Sequence, residues 1–424
     1  MASFAAVASP ALRASRLRCS TVPGRLVQKR IVGQRAMCTS SAQIPPTVYL
    51  GTMTFGWPQS SKPVDQATAT EMIRRFTAAG GYRIDTARVY GDGKSEEMLG
   101  LALHTIAESP SPEVVKQVRL GTKANPSQEN GLSFVGVRMQ AAFSSMHVGL
   151  PPQPKEKMPP GARNFYGTLP ELGPDWPLQE FFLHRPDPEN SLVHALQACQ
   201  ELVEGGYVEE VGLSNYHPIE VARAHEICAH FGWRAPSVYQ GLYNPLNRAV
   251  EDELLPMLRE HNMRFVAYNP LAGGVLTGKH AGQAPANGDV VDAPQGRFKA
   301  NSNYQTRFFT EPNFTALEAI ARACDEAGVD MIEATYRWLL TGSALDRSKG
   351  DGFVLGASSL EQLDENLAAC AAVRQDDYTP LPQSVQAAFD AAWGIVAATG
   401  NPFPYWRSFH SDLPNRDSLP QGAV

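Results

Sequence analysis

No two cysteines of this 424-residue chain stand in a Cys-x-x-Cys spacing; the six present (Cys19, Cys38, Cys199, Cys228, Cys324 and Cys370) are scattered. That argues against a structural zinc site or a disulfide scaffold and fits a reducing compartment. No apolar run approaches the roughly 18 residues that cross a bilayer, so no membrane span is expected. The formal charge of −6 lacks the basic excess that draws a protein to nucleic acid. Nor does any strand candidate lead into a Gly-x-Gly-x-x-Gly turn, which disfavours an open dinucleotide-binding sheet. What is there, 43% hydrophobic and 19% charged residues, is the profile of a globular chain long enough to bury a large core.

Acid is missing from the start of the chain, where the first acidic side chain is Asp65. Residues 1–42 instead carry seven bases (Arg13, Arg16, Arg18, Arg25, Lys29, Arg30, Arg35), leaving −13 for the remainder. A basic segment rich in Ala and Ser reads as an organelle transit peptide, whereas a secretory signal would need an apolar block that these arginines interrupt. The Met-Ala start with scattered Ser and Thr points to the chloroplast, with the mitochondrion as the alternative.

From Ile44 onward, short apolar strands alternate with amphipathic stretches. Strands are expected at 48–50, 82–84, 118–121, 180–183, 210–213, 237–239, 264–267 and 352–355. Helices are expected at 65–79, 95–103, 134–146, 192–204, 218–231, 251–261, 314–327 and 360–371, with one more at 383–396. Eight β-then-α units in series predict parallel strands closing into a (β/α)8 TIM barrel, here residues 43–410 with a tail at 411–424. Residues 150–177 hold eight prolines and follow a helix, so they read as an insertion at the barrel's bottom. Residues 272–312 follow the seventh strand and belong to the top face, as a lid or cofactor clamp.

Four ionisable residues fall at successive strand ends: Asp85 after the second, Tyr90 five residues on, Lys123 after the third, His184 after the fourth. Alone, Asp85 reads as a helix cap and His184 as a core histidine; together they define one rim. Carbonyl reduction needs a hydride on carbon and a proton on oxygen. In this reading Tyr90 is the general acid, Lys123 lowers its pKa, Asp85 holds the lysine, and His184 orients the carbonyl. No metal cluster is expected. Gly273-x-x-x-x-Gly278-Lys279 approaches a P-loop, but His280 replaces the magnesium-binding Ser or Thr, so an NTPase is rejected in favour of close backbone approach to a phosphate.

The wording of the chain resembles the aldo-keto reductase family, and within it the aflatoxin aldehyde and succinic semialdehyde reductases. The resemblance rests on Leu-Gly-Thr-Met-Thr-Phe-Gly at 50–56, Ile-Asp-Thr-Ala at 84–87, Gly-Leu-Ser-Asn-Tyr at 212–216 and Val-Tyr-Gln at 238–240. It continues in Asn-Pro-Leu-Ala-Gly-Gly-Val-Leu-Thr-Gly-Lys at 269–279, Gly-Arg-Phe at 296–298 and Gly-Ala-Ser-Ser-Leu-Glu-Gln-Leu at 356–363. The family's catalytic tetrad falls on Asp85, Tyr90, Lys123 and His184. The resemblance implies NADPH/NADP+ as cofactor. Its nicotinamide amide would meet Ser214, Asn215 and Gln240. Its pyrophosphate would lie by Asn269, Pro270, Leu271, Gly273 and Lys279, and its adenosine phosphate by Arg297, Ser358, Ser359, Gln362 and Asn366. Tyr304, Arg307 and Arg407 would grip a carboxylate-bearing aldehyde beside His184. The subfamily's habit of forming homodimers is implied likewise. Gln179 departs from the family, where an acid is common. Two other readings stay open: a cofactor-binding regulatory subunit like the potassium-channel β-subunits, and a barrel hydrolase using Asp85.

Overall fold

Alternation of apolar side chains builds eight strands: β1 (Val48–Gly51), β2 (Arg83–Asp85), β3 (Arg119–Ala124), β4 (Leu178–Leu183), β5 (Val208–Ser214), β6 (Val238–Leu242), β7 (Arg264–Tyr268) and β8 (Gly352–Gly356). In the computed structural model they pair in parallel and in sequence order, and β8 returns to β1 to close the barrel. The structure describes residues 47–57, 64–109, 113–148, 178–280, 302–372 and 380–407. The basic segment 1–42, the proline-rich insertion 150–177, Arg297 and the tail 411–424 lie outside the described residues.

A strand repeats every two residues, so neighbours point to opposite faces. Tyr49, Phe182, Val238 and Val266 form a small cluster of their own, with Val354 against it. Their neighbours Leu50, Phe181, Leu183, Tyr239, Phe265, Phe353 and Leu355 belong to the large core shared with the helices. On β4 the same period carries Glu180, Phe182 and His184 in succession up the interior. At the lower level Glu180 accepts hydrogen bonds from Tyr49 (2.9 Å), Arg83 (2.8 Å) and Arg264 (2.7 Å), so buried charge is paired there. Gln179 lends its side-chain oxygen to the Leu120 amide across β3 and β4.

The helices are α1 (Gln66–Ala78), α2 (Lys94–Ala107), α3 (Glu113–Gln117), α4 (Phe134–Val148), α5 (Leu192–Glu204), α6 (Pro218–Phe231), α7 (Leu254–Glu260), α8 (Ser302–Phe308), α9 (Glu311–Ala327), α10 (Met331–Thr341), α11 (Leu360–Ala371) and α12 (Gln383–Ala397). Asp65, Ser191 and Asp330 cap α1, α5 and α10 through their side-chain oxygens. Helix α6 has a capping box in which His217 and Glu220 each bond the other's backbone.

One stretch departs from expectation. A single helix at 314–327 was expected between β7 and β8, but among the described residues three α-helices lie there, α8, α9 and α10. Helix α9 packs along α12, while α10 lies against α11 and serves as the crossover to β8. Residues Ala334–Leu340 of α10 are all buried, Thr335 and Arg337 among them, and only residues 328–330 separate α10 from α9.

Candidate active site

Register brings the strand ends together. Gly51 stands level with Asp85, Asp85 with Gly121, Lys123 with Phe182, and Ser214 with Gln240. The Lys123 ammonium, wholly buried, donates to both Asp85 oxygens (2.7 and 2.8 Å) and to the Thr86 carbonyl (2.7 Å). It lies 5.3 Å from the centre of the Tyr90 ring, which meets the His184 ring edge-on at 5.9 Å. Tyr90 opens a tight turn, Tyr90–Gly93, in which Gly91, Asp92 and Gly93 all take positive φ, and this turns the phenol over the barrel mouth.

Burial pushes the Tyr90 phenol well above its ordinary value, and the charge of Asp85 pushes the same way. Lys123, the group expected to lower it, directs its hydrogen bonds at Asp85 and Thr86 and approaches the phenol ring at 5.3 Å. His184 moves in the opposite sense. Burial, then Lys123, Arg407 and Arg185, holds its imidazole well below the usual range, so it is neutral at physiological pH.

A cavity of about 720 Å³ opens from this rim. Asp85, Tyr90 and His184 line it, as do Ser214, Asn215, Gln240, Asn269, Pro270, Leu271, Gly273 and Lys279; Lys123 stands behind the wall. Further along it lie Ser358, Gln362 and Asn366, and at the other side Tyr304, Arg307 and Arg407. Ser359 is absent from the lining: its hydroxyl caps α11 by accepting from the Gln362 amide.

Bonds within the site limit what each group can offer a ligand. Asn215, at φ 63°, donates to the His184 carbonyl (2.8 Å) and to Ser214 Oγ (2.9 Å), and its oxygen accepts from Tyr268 (2.7 Å). These bonds tie the ends of β4, β5 and β7 together and hold Asn215 in the cavity wall, with a second lone pair of its oxygen still to offer. Gln240 donates to Asp85 (2.8 Å), leaving its oxygen as the acceptor for a carboxamide N–H. Beyond β7, Asn269, Ala272, Gly273 and Gly274 all take positive φ, and a Cβ at Gly274 would meet nothing within 4 Å. Such a backbone, with the amino end of α11 opposite, suits the phosphates of an extended dinucleotide. The residues present therefore fit a nicotinamide cofactor.

Helix α8 places Tyr304 and Arg307 one turn apart, in the loop expected to form the lid. Arg307 is 93% buried, its guanidinium lying over Phe403 (4.6 Å) and beside Tyr304 (5.9 Å), and its Nε has no hydrogen-bond partner. Among the described residues no carboxylate pairs with it. Arg407 reaches the mouth on a strap of chain tied down by Arg407 N to Asn215 O (2.8 Å) and Asn247 Nδ2 to Phe403 O (2.7 Å). Burial and then Arg307 depress its guanidinium. Met53, Trp57, Tyr268 and Glu365 also line the cavity without having been singled out; of these only Tyr268, the last residue of β7, carries a legible signal, its place at a strand end. Among the described residues no group of His, Cys, Asp and Glu is placed to hold a metal, and no helix is long and apolar enough to cross a membrane.

A parallel eightfold barrel whose mouth joins a buried Lys–Asp pair, a phenol and a neutral imidazole to a dinucleotide-shaped groove is the framework of a carbonyl oxidoreductase. Residues 47–381 match the family model described as the Aldo/keto reductase family, and the chain belongs to that family. It is 35% identical over 399 residues to aflatoxin B1 aldehyde reductase member 2 of Rattus norvegicus, covering 92% of this chain and 96% of that one. The Homo sapiens protein of the same name is 35% identical, across 83% of this chain and 88% of that one. Aldo-keto reductase family 7 member A3 of Homo sapiens is also 35% identical, across 83% and 95%.

Proposed function

We propose that the enzyme reduces aldehydes to alcohols with NADPH and favours aldehydes that carry a carboxylate or a second carbonyl. The bound cofactor would supply the hydride. Tyr90 would supply the proton: its raised pKa keeps the phenol protonated, and an alkoxide is basic enough to take that proton. His184, uncharged, would hydrogen-bond the carbonyl oxygen and aim it at Tyr90. Asp85 and Lys123 would fix the floor beneath both. Gln240 would hold the carboxamide, Lys279 and the glycine-rich turn the pyrophosphate, and Ser358, Gln362 and Asn366 the adenosine end.

The observation that carries the substrate preference is the pair of guanidinium groups, Arg307 and Arg407, lining one mouth with no carboxylate paired to Arg307 among the described residues. Two desolvated cations facing one cavity call for an anion. Purified protein is mixed with NADPH or NADH and with succinic semialdehyde, 2-carboxybenzaldehyde or unsubstituted benzaldehyde, and loss of nicotinamide absorbance is followed. Faster turnover with NADPH and with the charged aldehydes is expected; no oxidation with any aldehyde would sink the reading. The basic segment 1–42 supports delivery to the chloroplast. A fluorescent protein fused behind those residues should enter plastids, and cytosolic fluorescence would discard that address.

A further inference from the structure

We infer that Asn125 sets the tautomer of His184, so that the imidazole offers an Nε2–H to the substrate oxygen. This rests on the reading of His184 as the group that orients the carbonyl.

The argument starts from the backbone. The His184 amide donates to the Ala124 carbonyl at 2.8 Å, continuing the β3–β4 ladder one step past its last paired residues. Asn125 is thereby carried alongside His184. It is itself clamped, because its backbone N–H donates to Gln140 Oε1 (2.8 Å) and Gln140 Nε2 donates back to its carbonyl (3.2 Å). Asn125 is 94% buried and does not line the cavity, so it acts through His184 as a positioning residue.

Its side chain can face only one way. Asn125 Oδ1 accepts from the Ser127 backbone N–H at 3.0 Å and from Ser127 Oγ at 2.8 Å. The Nδ2 end is left toward His184 Nδ1, at 3.2 Å. An amide NH2 is a donor only, so Nδ1 must be the acceptor and the ring proton must sit on Nε2. Were the proton on Nδ1, two donors would face each other. Turning the amide over would relieve that clash only by aiming NH2 at the Ser127 N–H. The other charged or titratable groups that act on the ring are Tyr90, Lys123, Arg185 and Arg407. None of these brings a carboxylate to Nδ1, so nothing competes with Asn125 for it.

The test reads the proton directly. In full-length protein with ¹⁵N-labelled histidine, the His184 resonance is assigned by its loss in His184→Gln. A bare Nδ1 and a protonated Nε2 are expected between pH 6 and 8; a protonated Nδ1 overturns the inference, and this measurement needs no folded variant of Asn125. Asn125→Asp then keeps the shape and the Ser127 bonds but sets a carboxylate before Nδ1. The ring should move its proton to Nδ1, and kcat for an aldehyde near pH 8 should fall roughly 100-fold, the usual loss when a donor to a developing oxyanion is removed. Activity should return as the pH falls and the imidazolium regains an Nε2–H, shifting the acid limb of the profile without a matching change in cofactor affinity. An Asn125→Asp enzyme with its Nε2–H and pH profile unchanged would also overturn the inference. Failure of the wild-type protein to reduce any aldehyde would strike the proposed activity while leaving the tautomer assignment standing.

Discussion

Tyr90 and Lys123 show how residue-level chemistry depends on surroundings that a sequence only partly records. A phenol beside an ammonium suggests acidification, yet Lys123 bonds Asp85 while burial and the Asp85 charge push the phenol the other way. Tyr90→Phe is expected to lower kcat by roughly 10²–10⁴-fold while cofactor affinity changes little, measured by steady-state kinetics and fluorescence titration; equal loss of both would refute its role as the acid. Arg307→Leu should raise KM for a carboxylated aldehyde by about 10–100-fold, the worth of one charge-assisted hydrogen bond, and leave neutral aldehydes nearly alone. An unchanged ratio between the two substrate classes would discard the carboxylate grip. The positions of Asp85, Tyr90, Lys123 and His184 were legible because each lies at or just after a strand end. Asn125 was not, because its role arises from a contact with a residue 59 positions away in the chain. Ser359 illustrates the converse, a polar residue at a plausible cofactor position whose hydroxyl is used by its own helix.

Among elements, a helix with a clear cap and period could be read, whereas one that follows closely on another could not. Helix α5 matched its expected limits because Ser191 caps it and its buried residues keep a helical spacing. Helix α10 escaped because only residues 328–330 separate it from α9. Elements also differ in how they respond to acid. On α6, His225 stacks on His261 at 4.1 Å, and burial together with that neighbour lowers its pKa from 6.5 to about 4. The unfolded chain takes up this proton first, so the contribution to stability is complete above pH 6.5 and is lost as the pH falls toward 4. His225→Asn should therefore flatten the decline of Tm between those limits, and an unaltered slope would show that the stacked pair is not a source of acid sensitivity.

Across the whole molecule the two ends of the barrel carry different burdens. The lower end holds Glu180 among Tyr49, Arg83 and Arg264, remote from the mouth along the same strand that ends beside His184. Glu180→Gln would leave two cations without their shared partner and should cost about 3–5 kcal/mol in urea unfolding, with KM for aldehydes unchanged in the fraction that folds. A neutral effect on stability would mean that the arginines find other partners, such as Glu210 beside Arg264. The upper end draws on almost the full length of the chain, from Asp85 to Arg407. The strap that brings Arg407 to Asn215 follows every strand and helix described. During synthesis, then, the barrel has all its staves before the ribosome has made the last guanidinium of its mouth. On the proposed carboxylate grip, trimming back to Trp406 should blunt the preference for charged aldehydes, a change that a substrate panel would catch, whereas trimming past Tyr405 also removes a core side chain.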